Sequence, residues 1–230
     1  MLNILKKTKK INYNGDGGGK RNCIKIIQEN GKVIINPPYI KKVKIQFMGN
    51  DNYLEIWEPC NFWGDGLDIY MQDGCNFVLK KISVGSLAIR GIAQKVYIDE
   101  YSTFWSTILT GESSSIKIGK DCAFSGDISV WAADTHMIID ENDNIINEPS
   151  KEGIVIGDHV WIGYGVTILK DSKIASNCIV GAKSIISGQF NNQNSIIVGS
   201  GPNLREVKHN VNWDRRTIHE YKSKQKHNNN

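Results

Sequence analysis

His136 stands near the head of a long polar segment, WAADTHMIIDENDNIINEPSKEG (131–153). Imidazole exchanges its proton near neutral pH, so a histidine in a polar loop is a candidate general base toward a hydroxyl. A carboxylate beside the ring would orient it and stabilise its charged form. Asp134 is placed for that task, and Asp140 or a main-chain carbonyl would serve equally. Trp161 follows His136 by 25 residues, and Tyr164 and Ala182 stand 18 residues apart. Lys183, Arg205 and Lys208 are cations able to meet phosphate oxygens. His159, His209 and His219 are expected to be structural or exposed. No cysteine or serine is placed as an acyl-accepting nucleophile.

Such residues act only if a frame positions them, and the frame is visible in IVIGDHVWIGYGVTILKDSKIASNCIVGAKSII (154–186). Ile156, Ile162, Ile168, Ile174, Val180 and Ile186 put an aliphatic residue at every sixth position. Neither a helix, with its period of 3.6, nor a strand, with its period of 2, gives that beat. Three six-residue steps make an 18-residue coil with three flat faces. Ile156 then stacks on Ile174, Ile162 on Val180 and Ile168 on Ile186, with coils pairing as parallel strands ~4.8 Å apart. Ile154, Val160, Val166 and Cys178 fit the remaining interior slots. Gly157, Gly163 and Gly181 follow the beat, where tight corners needing unusual backbone angles are expected. On this frame Tyr164 and Ala182 occupy the same place on adjacent coils and line a groove parallel to the axis.

Upstream, apolar residues come in pairs two apart: Ile45/Phe47, Leu54/Ile56, Leu67/Ile69, Phe77/Leu79, Ile82/Val84, Leu87/Ile89, Val96/Ile98 and Ile116/Ile118. These are short strands with one buried face. The predicted organisation is an N-terminal extension at 1–35 and an all-β solenoid at 36–205. The coils are irregular to about 115 and regular over 154–188, with an inserted, protruding loop at 131–153. A C-terminal helix packing on the solenoid and a disordered tail are predicted for 206–230, because Val207, Val211, Ile218 and Tyr221 have loosely helical spacing. The insertion is not needed by the solenoid, and such segments tend to carry function.

The net charge of +4 comes largely from lysines near the two ends, which are expected to be solvated tails rather than weak nucleic-acid or anionic-membrane contacts, so no nucleic-acid partner is expected. Five cysteines without a CxxC pair argue against a disulfide framework or zinc knuckle and for a reducing compartment. The start has no apolar run of signal-peptide length, and no stretch is long enough to span a bilayer. A cytoplasmic protein without an integral membrane segment is expected.

The repeat [Ile/Val]-Gly-x-x-x-x, the segment IVIGDHVWIGYGVTIL and the earlier ADTHMI with its polar loop resemble the hexapeptide-repeat acyltransferases. The closest likeness is to sugar O-acetyltransferases encoded with bacterial capsule or lipopolysaccharide synthesis. The likeness is clear over about 116–213. It implies a left-handed parallel β-helix, a handedness that the six-residue period does not itself fix. It also implies an acetyl-CoA donor, a carbohydrate acceptor, a homotrimer with sites between subunits, and direct transfer in a ternary complex. His136 would be the base and Trp161 would flank the acetyl-CoA site, with a backbone N–H of its coil serving the oxyanion. Tyr164, Ala182, Ser187 and Gly188 match positions that line the pantetheine groove. Ser187-Gly188 replaces the family's frequent Thr-Lys pair, and Asn203 follows Pro202 where alanine is common.

Three rivals are distinguishable. A zinc-dependent carbonic anhydrase on the same fold needs three histidines at a subunit interface, whereas only His136 and His159 lie in the solenoid. A non-catalytic carbohydrate-binding solenoid would use Trp57, Trp63, Trp105 and Trp131 as a stacking face, leaving the insertion idle. An acyltransferase acting on an amino sugar would be expected to carry a nucleotide-binding βαβ domain, and residues 1–115 read as β coils.

Overall fold

The computed structural model describes residues 21–228, with side chains described to 223. Eight parallel rungs form the first face of a triangular coil: Cys23–Ile27, Tyr53–Trp57, Asn76–Lys80, Lys95–Ile98, Ser115–Ile118, Ile154–Ile156, Lys173–Ile174 and Gln189–Phe190. In each regular coil the chain passes from this face to a second, carrying Thr103–Phe104, Ala123–Phe124, Trp161–Ile162, Ile179–Val180 and Ile196–Val198. It then crosses a third face, carrying Thr107–Glu112, Ile128–Trp131, Thr167–Ile168 and Ile185–Ile186. Two long strands, Asn61–Met71 and Ser83–Ile92, bend across the second and third faces of the upper coils.

The register follows the beat. Ile156 pairs with Ile174, Ile162 with Val180, and Ile168 with Ile186. Each of these side chains is at most 2% exposed, as are Ile154, Val160, Val166 and Cys178. Behind the second face runs one apolar column, Val84, Phe104, Phe124, Ile162, Val180 and Ile197. Phe104 and Phe124 stack with centroids 4.6 Å apart. Each such side chain contributes roughly 1.5–3 kcal/mol by burial, so the column holds the coils in register. All the upstream apolar pairs from Ile45/Phe47 to Ile116/Ile118 face this interior.

Four expectations are corrected. The left-handed corner residues are His159, Gly165, Asp171, Asn177 and Lys183, three positions after the beat. Gly157, Gly163 and Gly181 are needed for close approach instead. A Cβ at Gly157 would lie 2.6 Å from Ser176 N, and one at Gly163 would lie 2.7 Å from Val180 O. The solenoid also begins before residue 36, since Cys23–Ile27 is a full rung paired with Tyr53–Trp57. Only residues 21–35 of the expected extension can be placed, because 1–20 lie outside the described residues.

At the other end, Val207 belongs to a strand, Arg205–Lys208, paired antiparallel with Ile196–Val198, and not to a helix. The chain then runs back along the corner between the first and second faces. Asn194 and Val211 exchange hydrogen bonds, the Trp213 indole donates to the His159 carbonyl, and Arg215 reaches Asp121, Thr103 Oγ1 and the carbonyls of Tyr101 and Cys122. The helix, Ile218–Asn228, does not pack on the solenoid in the manner expected: Ile218 is 76% exposed and Tyr221 is 46% exposed. The strap before it, not the helix, fastens the C-terminal segment.

Among the described residues no helix is long and apolar enough to cross a membrane. Cys75, Cys122 and Cys178 are buried, and burial pushes the Cys122 thiol up to about 12. The candidate sugar-stacking tryptophans do not share one face. Trp57 ends a first-face rung, Trp63 and Trp105 pair edge-on at 5.3 Å beyond the second face, and Trp131 ends a third-face strand.

Candidate functional site

Between Ile118 and Ile156, paired neighbours on the first face, the chain advances 38 residues, against 18 between Ile156 and Ile174. The excess is the segment after Trp131, at the corner between the third and first faces. It folds as a small hairpin: Ile139 bridges Ile145, the Ile146 N–H donates to Ile138 O, and Asp140 caps the turn through the N–H groups of Asn142 and Asn144. Met137, Ile138, Ile139, Ile145 and Ile146 are all exposed on it.

Two side chains hold the base of the hairpin. The Asn147 amide donates to both the Asp134 carboxylate and the His136 carbonyl, at 2.8 Å each, and its oxygen accepts from the Ile138 N–H at 2.7 Å. From the next coil, Lys170 Nζ donates to Asp134 Oδ2 at 2.6 Å and to the Asn147 carbonyl at 2.7 Å. Lys170 and Asn147 were not singled out from sequence. A lysine 34 residues beyond His136 leaves no local signal, although the 18-residue coil does place Lys170 below this corner.

This network redefines Asp134. Its carboxyl is held below the usual aspartate range, first by the hydrogen bond from Lys170 and then by that from Asn147. The carboxylate is a tie for the loop and does not hydrogen-bond the imidazole. Asp140, the other candidate, is likewise engaged by Asn142 and Asn144. The His136 side chain is exposed and has no hydrogen-bond partner among the described residues. It lines a cavity of about 460 Å³ together with Glu112, Thr135, Asn147 and Pro149.

Trp161 sits elsewhere, on the second face. Its indole donates to Ser125 Oγ at 3.2 Å, its ring is 41% exposed, and Trp213 of the strap lies 6.2 Å away. The N–H groups of Trp161 and Gly163 are already given to Cys178 O and Val180 O. An oxyanion donor on this coil must therefore be another backbone N–H.

Tyr164, Ala182 and Lys183 gather at the corner between the second and third faces. The Lys183 N–H donates to Tyr164 O at 2.8 Å, which joins adjacent coils as the 18-residue spacing requires. Tyr164 is exposed and lies over Gly126, where a Cβ would be 3.2 Å from its ring. Lys183 Nζ hovers 4.7 Å from the Tyr164 centroid and 3.4 Å from Asp127. Both charged partners are largely exposed, so that pair is weak and the ammonium is available to an anion.

Ser187 and Gly188 lie beyond Ile185–Ile186, on the opposite edge of the third face and on the same corner as the His136 hairpin. Arg205 and Lys208 are exposed on the strand that follows the second face. One chain thus divides the candidates between two corners. His136, Asp134, Ser187 and Gly188 share one, Tyr164, Ala182 and Lys183 share the other, and Trp161 lies on the second face leading into the latter. His159 is fully engaged, with Nδ1 2.7 Å from Asp121 Oδ2, Nε2 3.1 Å from Trp213 O and its ring stacked on Trp213. Its expected structural role fits this engagement. Among the described residues no three His, Cys, Asp or Glu side chains are grouped to hold a metal.

The family model described as bacterial transferase hexapeptide (six repeats) matches residues 153–188. The polysialic acid O-acetyltransferase of Neisseria meningitidis is 36% identical over 130 residues, which is 55% of this chain. The chain covers 60% of the length of that curated relative. Among solved structures, the polysialic acid O-acetyltransferase OatWY has a TM-score of 0.68 at 24% identity, covering 80% of this chain and 89% of that one. The polySia-specific acetyltransferase NeuO has a TM-score of 0.59 at 22% identity, covering 89% of this chain and 93% of that one. The shared architecture is the left-handed parallel β-helix.

Proposed function

From a chain whose residues 153–188 are transferase hexapeptide repeats on a left-handed β-helix, we propose an acetyl-CoA-dependent O-acetyltransferase acting on a carbohydrate hydroxyl. The observation that carries the proposal is the His136 imidazole, exposed and unpartnered in a cavity at the foot of a hairpin that Asn147 and Lys170 hold in place. An imidazole free of protein partners can accept the proton of an acceptor hydroxyl as that oxygen attacks the thioester carbonyl, and return it to the departing thiolate. A backbone N–H of the coil carrying Trp161 would meet the oxyanion. No acyl-enzyme is required, so transfer is direct within a ternary complex.

Tyr164 and Ala182 would line the channel for the pantetheine arm of CoA, with Ser187 and Gly188 at its far edge and Lys183, Arg205 and Lys208 near the phosphates. Because Tyr164, Ala182 and Lys183 occupy a different corner of one chain from His136, Ser187 and Gly188, a second copy would complete each site. A cyclic homotrimer puts one corner of each copy against the other corner of its neighbour. The five exposed apolar residues of the hairpin support burial against such a neighbour. The domain running from the first rung through the antiparallel C-terminal strand would be the catalytic unit, working in the cytoplasm on a polymer or its precursor. Polysialic acid, named for the relatives, is the first acceptor to try.

Calorimetric titration with acetyl-CoA, and separately with CoA, tests this without knowledge of the acceptor. Binding near one site per chain is expected. No heat at millimolar ligand would reject the proposal and favour a non-catalytic carbohydrate-binding solenoid.

A further inference from the structure

The cavity at His136 opens into a second depression that runs down the third face of the upper coils. The two share Glu112, Ala133, Asp134 and Thr135. Its floor is a ladder in strict register: Tyr70 pairs with Arg90, Arg90 with Thr110, and Thr110 with Trp131. Both Tyr70 and Arg90 are flanked by buried neighbours, Ile69 and Met71, and Ile89 and Gly91, so both project outward. With ~4.8 Å between rungs, the ladder spans about 14 Å and ends where the His136 loop begins.

The charges in this groove are uneven. Arg90 has neither an ion-pair nor a hydrogen-bond partner among the described residues, although a guanidinium offers five donors. It stands between two aromatic rings, those of Tyr70 and, two rungs on, Trp131, which is 40% exposed. Glu112, also without a partner among the described residues, lies one rung over and two residues further toward His136. The Asp134 charge is already met by Lys170. The groove therefore presents a cation flanked by rings, followed by an anion beside the imidazole.

We propose that this ladder seats the acceptor and that Arg90 is the residue that selects an acidic saccharide over a neutral one, by taking a sugar carboxylate. The fork of the guanidinium matches a carboxylate in a bidentate pair, and Tyr70 and Trp131 supply apolar faces for the rings on either side. Glu112 repels a second carboxylate at the imidazole end. The sugar nearest His136 is then presented by its hydroxyls, which Glu112 can accept as hydrogen-bond donors. A neutral glycan would leave the Arg90 charge unpaired, and that unequal match is the source of selectivity.

This inference rests on the acyltransferase reading, and the experiment separates the two. The probes are oligosialic acid and oligogalacturonate, each with one carboxylate per sugar, and a neutral dextran oligomer of equal length. Binding to wild-type protein, Arg90→Gln and Arg90→Lys is measured alongside acetyl-CoA binding. At least one acidic oligomer is expected to bind about tenfold more tightly than dextran. Arg90→Gln should abolish that preference, Arg90→Lys should restore part of it, and acetyl-CoA affinity should stay unchanged in both variants. Equal binding of acidic and neutral oligomers by wild type, or an acidic preference that survives Arg90→Gln, would overturn the assignment while leaving the acyltransferase reading in place. Loss of acetyl-CoA binding by wild-type protein would instead remove the reading itself.

Discussion

His136 and His159 are both corner histidines of the same solenoid, and their surroundings are opposite. At His159 both ring nitrogens face oxygen acceptors, the Asp121 carboxylate and the Trp213 carbonyl, and the ring is stacked at 4.3 Å on an indole. Asp121 is held in turn by Arg215 at 2.6 Å. At His136 the care is spent on the main chain: Asn147 fixes its carbonyl, Lys170 fixes Asn147, and the imidazole is left without a partner. A histidine whose nitrogens are both satisfied serves the architecture. One whose backbone is fixed and whose ring is free can serve chemistry.

The contrast breaks first on activity. His136→Ala is expected to lower turnover by at least about 100-fold, the low end for a lost general base, with little change in melting temperature or acetyl-CoA affinity. Steady-state rates and calorimetry on the same preparation check this. Comparable turnover in the variant would remove the base from the mechanism and make the cavity at the hairpin a binding pocket only.

His159→Ala should do the reverse. It deletes the hydrogen bonds to Asp121 and the Trp213 carbonyl together with the stacked ring, from a side chain that is 24% exposed. Roughly 1–2 kcal/mol of stability should go, by the usual worth of such bonds, lowering Tm by about 2–8 °C for a chain of this size. Trp213 fluorescence should shift toward that of a solvated indole as the strap loosens. A variant that melts like wild type would show that the strap is fastened without the His159 ring, by Arg215, the Asn194–Val211 pair and the Trp213 indole.

How much of this was legible in the sequence depends on range. The six-residue beat is a local signal repeated by stacking, so it placed Ile156, Ile162 and Ile168 against their partners to the residue. It also put Tyr164 and Ala182 on adjacent coils. The rung Cys23–Ile27 escaped because it is separated from Tyr53–Trp57 by a hairpin and an irregular coil, and a single short alternation has no period to betray it. The strap escaped for a stronger reason. Arg215 meets residues 93 to 114 positions away, and its neighbours carry no repeat. The glycines of the repeat were visible, but their cause was not. Gly157 and Gly163 answer to a neighbouring coil's backbone, which no reading of one coil contains. In the candidate site, the histidine and tryptophan stood out by type and context, whereas Lys170 and Asn147 act through contacts that only the folded corner creates.

The smallest expected effect sharpens the comparison at the His136 corner itself. Asp134 has its folded pKa lowered, chiefly by the hydrogen bond from Lys170. The ordering it gives the loop is therefore present above the unfolded aspartate value, near 3.9, and is lost as pH falls through the lower folded value. Amide exchange should show Ile138 and Ile146 losing protection below about pH 4, while Ile162 and Val180 in the core keep theirs. Lys170→Met should produce the same local loss at neutral pH. It should also slow turnover by about tenfold, because a base on a loosened backbone spends less time at the attacking oxygen. The His159 corner, tied by different groups, should not respond to Lys170→Met. If Trp213 fluorescence changes in that variant, the two corners are coupled and the division of labour between the histidines fails. If it does not, the His159 and His136 corners stand on independent supports.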